Sequence, residues 1–181
     1  MGKPTDIRPV STAVYFLPVD TRIPYRFGTE ELKSVICARA RVTVENRSGE
    51  WAIGWGEAPL SAQWAWPSST SFNDRQDAMM NLCLALGKGW GDFAYSGHPM
   101  EVGHVYLTDV LAATLDDFNH GRDDTMPWLA ALVCNSAFDL AVHDAYGHLL
   151  GTSIYDTYDA EHLNRDLAHY LTPGRNTGAS F

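Results

Sequence analysis

The segment from Trp128 to Val142 limits the fold more than any other part of the chain, because it is apolar nearly all round. A helix with no wet face has to be packed on several sides at once. Asp124 or Thr125 can cap it, Pro127 falls in its first turn, and the helical pattern carries on towards Leu150. Its longest uninterrupted apolar run, Trp128 to Cys134, is far short of the roughly 20 residues a membrane helix needs. The segment is therefore expected at the centre of a globular core, with other elements arranged around it.

Those other elements divide cleanly along the chain. Ile36, Ala38, Ala40, Val42 and Val44 alternate with Cys37, Arg39, Arg41, Thr43 and Glu45, the period of a half-buried strand. Asn46-Arg47-Ser48-Gly49 reads as a turn, and Trp51 to Glu57 as the return strand of a hairpin. Val10 to Leu17, bracketed by Pro9 and Pro18, supplies an earlier strand. The stretch from Asp20 to Gly28 reads as a loop between the first two strands. Past residue 73 the period becomes helical. Asn73 and Gln76 have capping-box spacing, and Ala78, Leu82, Ala85 and Leu86 follow until Gly87. Leu107, Val110, Leu111, Thr114 and Phe118 mark a second helix, stopped near Gly121. Strands first and helices after predict an α+β fold: a three-stranded antiparallel meander followed by a bundle of about three helices. Leu167 to Leu171 reads as one further short strand.

Composition narrows the partners. The 181 residues carry 22 acidic and 13 basic side chains, a net charge of −9, and only three lysines, Lys3, Lys33 and Lys88. Phosphate neutralisation needs clustered cations, so no nucleic acid is expected as a partner. No membrane span or secretory signal is read, and Cys37, Cys83 and Cys134 sit in apolar settings as reduced thiols, which together predict a cytoplasmic protein.

Few residues offer chemistry of their own. Gly87-Lys88-Gly89-Trp90-Gly91 follows a helix, whereas a phosphate loop follows a strand, so it reads as a connector. There is no G-x-S-x-G elbow. Asp139 and His143, and again Asp144 and His148, are four apart on the third helix, so each pair shares a face and the two pairs point in different directions. With no third ligand at helical spacing, a role in locking helix to sheet is favoured over a metal or acid–base site. Trp64 and Trp66 bring two indoles close together in a loop, able to stack on a sugar or to anchor the loop on the core. Arg22, Tyr25, Arg26 and Phe27 join two guanidinium groups to two aromatic rings, a combination suited to gripping a carboxylate.

Two segments are recognisable. Gly54-Trp55-Gly56-Glu57-Ala58 resembles the G-x-G-E that closes an N-terminal meander in the enolase superfamily, of the mandelate racemase and muconate lactonising type. Ala137 to Ser153 is similar to the helix pattern A-hydrophobic-D-x-A-x-x-D-x-x-G-K-x-x-G-x-P of the same family, departing at His148 and Ser153. The resemblance covers about residues 7 to 158. It implies a capping domain over residues 1–158, with 159–181 a linker and a truncated remnant of the first barrel strand. In that family the cap closes a (β/α)7β barrel whose Mg²⁺ stabilises an enolate while a Lys or His removes a proton next to a carboxylate, in isomerases and lyases such as acid-sugar dehydratases.

On this resemblance the chain has no catalytic residue and no metal ligand of its own. It needs no cofactor, and Mg²⁺ belongs to a barrel-containing protein. Its partner is the missing C-terminal barrel or the barrel of another subunit, and its ligand a carboxylate substrate touched by the loops holding Arg22, Tyr25, Arg26, Phe27, Trp64 and Trp66. Alone it is expected to be inactive and to self-associate through the uncovered face. The rival readings are a stand-alone module binding a sugar or apolar ligand, and a protein–protein interaction domain.

Overall fold

In a computed structural model that describes residues 2–27 and 30–171, with the side chains of Phe27 and Glu30 left out, the expected strand-then-helix order is present. Strands β1 (Ile7–Phe27), β2 (Glu30–Asn46) and β3 (Trp51–Pro59) form an antiparallel sheet in the order β1-β2-β3. Ala38, Ala40, Val42 and Val44 of β2 point into the core, as their alternation requires, while Arg39 and Arg41 lie on the outer face beside Tyr15 and Trp55. Arg39 there pairs with Glu57 at 2.6 Å.

Among the described residues five α-helices follow: α1 (Ala62–Ala65), α2 (Phe72–Gly91), α3 (Pro99–Val105), α4 (Ala112–Asn119) and α5 (Trp128–Leu150). A π-helical turn, Tyr106–Leu111, joins α3 to α4 without a break. Central α5 buries residues on every side, among them Ala131, Cys134, Phe138, Val142 and Tyr146, and ends at Gly151, whose φ of 65° is the left-handed cap that glycine tolerates. The three cysteines are free and buried.

The sheet and α5 meet almost backbone to backbone. A Cβ on Gly54 would land on the Ala141 carbonyl oxygen and the Ala145 amide, and one on Gly56 on the Ala137 carbonyl. The two glycines of β3 thus face a stripe of alanines, Ala137, Ala141 and Ala145, spaced four apart on α5. Glycine and alanine together let the layers approach more closely than any larger pair permits.

Five local expectations change. The stretch 20–28 is not a loop: as far as Phe27, β1 continues through it and pairs with β2 out to Glu30. Gly28 lies outside the described residues. Helix α2 does not stop at Gly87 but runs through Gly89 to Gly91, because Gly87 packs against the Phe138 ring and Gly89 lies beneath the Tyr106 hydroxyl. Its cap is Ser71, which accepts from the Asp74 amide, and the second helix begins at Pro99, capped by His98 with Glu101 completing the box. Leu167–His169 is a 3₁₀ turn rather than a strand, closed locally by the Tyr170 and Leu171 amides on the Leu167 carbonyl. Residues 172–181, the end of the linker, lie outside the described residues.

Candidate functional site: an arm and an anchored loop at one end of the sheet

Strand β3 ends at Pro59 opposite Cys37, and the Leu60 amide adds one more bond, 2.8 Å, to the Ile36 carbonyl. Beyond that point β1 and β2 continue alone as a two-stranded arm, from Pro18 opposite Ile36 to Phe27 opposite Glu30. The arm and the segment after Pro59 therefore share one end of the sheet.

A bulge shapes the arm. Pairing breaks after Asp20–Ser34 and resumes at Tyr25–Leu32, which leaves 21–24 as extra length on β1. The Thr21 hydroxyl holds the bulge by donating to the Lys33 carbonyl (3.0 Å) and the Leu32 carbonyl (3.3 Å). Arg22 sits in this bulge, exposed, with no ion pair among the described residues. Arg26 instead binds Glu31 at 3.1 Å, and Lys33 binds the same carboxylate at 2.8 Å. Lys33 first, then Arg26, holds the Glu31 carboxyl below its ordinary range, and Glu31 in turn raises the Lys33 ammonium. Of the two arginines, Arg22 has the less committed charge. Tyr25 is exposed on the outer part of the arm, and the side chain of Phe27 lies outside the described residues.

The loop after Pro59 is held from beneath. Buried Arg75 donates through one terminal nitrogen to the carbonyls of Ala62 and Trp66, and Gln76 donates to the Leu60 carbonyl at 3.2 Å. Ser68 donates to Asp124, whose carboxyl is kept below the usual range by Ser68 and Thr70. Asp124 thus ties down the loop instead of capping α5, whose first turn receives no side-chain cap. Trp66, 3% exposed, belongs to the core, whereas Trp64 is 56% exposed. The expected paired-indole platform is not formed: one ring anchors the loop and the other faces outward. Sequence reading missed Arg75, Gln76 and Asp124 as anchors; the available signal was an Arg-Gln pair on the buried side of an early helical turn.

The two carboxylate–imidazole pairs of α5 separate in role. Asp144 accepts from the Trp55 amide at 2.9 Å, and Nδ1 of His148 donates to the Ile53 carbonyl at 2.8 Å. Both groups lie on the free edge of β3, so the pair occupies edge positions that a fourth strand would otherwise fill. Asp139 and His143 turn the other way, into a cleft beside α3. Among the described residues no group of three or more His, Cys, Asp or Glu side chains is placed to hold a metal ion, and no helix is long and apolar enough to cross a membrane.

The class these elements define is an α+β domain in which a meander packs on helices and presents an arm and an anchored loop at one end. No protein-family model matches the sequence, and no curated protein does. Among solved structures the chain is similar to an enolase from Bradyrhizobium complexed with magnesium and mandelic acid, at 14% identity and a TM-score of 0.49 over 83% of this chain and 34% of that one. It is also similar to the L-Ala-D/L-Glu epimerase from Bacillus subtilis (16% identity, TM-score 0.43, 82% of this chain, 33% of that one). A third is a mandelate racemase/muconate lactonizing enzyme-like protein from Rubrobacter xylanophilus (18%, 0.42, 82% and 33%). The chain spans about a third of the length of each. In this chain Gly54 and Gly56 lie on the Ala137-Ala141-Ala145 stripe, and Asp144 and His148 bond Trp55 and Ile53 of the same strand.

Proposed function

We propose that this domain caps the active site of a mandelate racemase/muconate lactonising-type enzyme, in which the arm and the anchored loop close over a carboxylate substrate. The observation that supports this most directly is the shared location of the two segments: Leu60 is bonded to Ile36 at the root of the arm, so both project from one end of the sheet. In this reading the rigid loop sets the position of Trp64 as an apolar wall, and Arg22 reaches the substrate carboxylate from the bulge. Arg26 orients the arm through Glu31 and contributes less to substrate binding. Asp139, Asp144 and their histidines are not assigned to the reaction.

In this reading proton abstraction belongs to a barrel, in a further part of the polypeptide or in another subunit. The Mg²⁺ that the family implies would stabilise enolate charge there. Among the described residues no group of three or more His, Cys, Asp or Glu side chains is placed to hold that ion, and no step of the reaction is assigned to this chain. What the chain does is select, by charge at Arg22 and by shape at Trp64, and exclude water when the mouth is covered.

The test is exchange of the α-proton of acid-sugar and aryl-acid carboxylates in deuterated water, followed by NMR with this domain joined to its barrel. Arg22→Ala is expected to lower kcat/KM about tenfold or more, mostly through KM, as loss of a charged hydrogen bond should. Arg26→Ala should cost less. An unchanged kcat/KM in Arg22→Ala and Trp64→Ala together would remove the capping role.

A further inference from the structure

We infer that the cleft between α3 and α5 is a binding site for a small organic ammonium ion, with the Asp139 carboxylate as its anchor. This does not rest on the capping role, since the cleft uses neither the arm nor the 60–71 loop.

The cleft has a volume of about 480 Å³, within the usual range for small-molecule sites. Asp139 is the residue that presents a carboxylate to the cleft, with its side chain 39% exposed. Its carboxylate accepts no hydrogen bond from any described residue; the nearest cation-forming atom is Nδ1 of His143, 3.8 Å away. That nitrogen cannot close the gap, because its hydrogen is already used on the Asp139 backbone carbonyl at 2.9 Å. Opposite, α3 makes room for the carboxylate instead of supplying a donor: a Cβ on Gly103 would strike Oδ1 of Asp139. Partial burial pushes the Asp139 carboxyl up, with His143 pulling it partly back.

The rest of the cleft describes the ligand. Met100 and Leu107 on one wall and Leu132 on the other give it apolar sides. Asn135, buried, has its Oδ1 taken by the Trp90 indole N–H at 2.9 Å. At the rim the His104 and Tyr170 rings meet edge to face at 4.9 Å, a π surface suited to a cation. A metal ion is a poor match, because among the described residues no group of three His, Cys, Asp or Glu side chains is placed to hold one. An ammonium group brings its own three donors and needs only the acceptor that is there, and the apolar walls take its hydrocarbon body.

The probe is phenethylamine, titrated into the 181-residue chain near neutral pH by calorimetry and amide NMR, with phenethyl alcohol as neutral isostere. The expected result is saturable binding of the amine, about tenfold or more tighter than the alcohol, with the largest shifts at the amides of Gly103, Leu107 and Leu132. Asp139→Asn, which keeps the side chain's shape, should abolish the preference for the amine. Equal binding of amine and alcohol to the unsubstituted chain, no saturable binding, or shifts elsewhere would each overturn the inference without recourse to any variant. An amine preference that survives Asp139→Asn would also overturn it.

Discussion

Replacing Gly54 with alanine puts one methyl group where α5 already has backbone. The Cβ would fall well inside the 3.0 Å limit of real Cβ contacts, on the Ala141 carbonyl oxygen and the Ala145 nitrogen. Neither atom can rotate away, so the helix has to retreat by about 1 Å. A gap of that size forfeits a quarter to a half of each dispersion contact. About 40 atom pairs at about 0.15 kcal/mol each, weakened by about a third, lose about 2 kcal/mol. The bonds from Trp55 to Asp144 and from His148 to Ile53 stretch with the same movement, at about 1 kcal/mol each. Alanine returns about 1 kcal/mol through its lower chain entropy. The net cost is about 3 kcal/mol, read by urea denaturation with far-ultraviolet circular dichroism at constant m. The Trp55 amide should exchange faster in the same variant. Because the collision is with backbone, adding Ala145→Gly should not restore stability. A loss below about 1 kcal/mol, or rescue by Ala145→Gly, would refute direct contact between β3 and the α5 backbone.

Asp144→Ala should cost about 1 kcal/mol and selectively speed exchange of the Trp55 amide, by freeing one edge position of β3. His98 is fully buried, donates from Nε2 to Thr157 and accepts at Nδ1 from the Met100 amide, and burial lowers its pKa to about 4. Its folded value lies below the unfolded one near 6.5, so its contribution is complete above pH 6.5 and is lost as the pH falls towards 4, about 3 kcal/mol in all. His98→Gln should flatten that acid limb in denaturation series taken across this interval, and an unchanged slope would exclude His98 as its source. Trp66→Ala should cost about 3–5 kcal/mol and Trp64→Ala less than about 0.5 kcal/mol, measured in the same way.

How much could be read in advance depended on whether a pattern had a local cause. The meander was legible because the alternation from Ile36 to Glu45 and the Asn46–Gly49 turn are decided within a few residues. The arm was not, because Pro18 and Pro24 look like interruptions. In β1 they cost little: it is an edge strand, Pro18 keeps its place opposite Ile36, and Pro24 falls within the bulge. The glycines of α2 misled for a different reason. Gly87 and Gly89 are helix breakers by propensity, and only contact with Phe138 and Tyr106, distant in sequence, makes their bareness useful. His98 was missed as a cap because an imidazole acceptor is outside the usual set of capping side chains. Of the site residues, the tryptophans were visible as a pair, but which of them faces outward follows from Arg75 and Asp124, and no short spacing encodes that.

The two motifs that resemble the enolase superfamily are, in this chain, solutions to a packing problem. A three-stranded sheet leaves β3 with a bare edge and one face to cover, and a single helix does both. Its alanine stripe lies on Gly54 and Gly56, and its next turns offer a carboxylate and an imidazole to the Trp55 amide and the Ile53 carbonyl. At position 148, where that pattern has Lys or Arg, the Nδ1–H of His148 donates to the Ile53 carbonyl. None of this requires catalysis. A motif whose members all bond one another reports how the layers are joined, and leaves function to side chains that the packing does not consume. Among the described residues, Arg22 in the bulge, Trp64 above its anchored loop and Asp139 in its cleft are side chains that the packing leaves uncommitted.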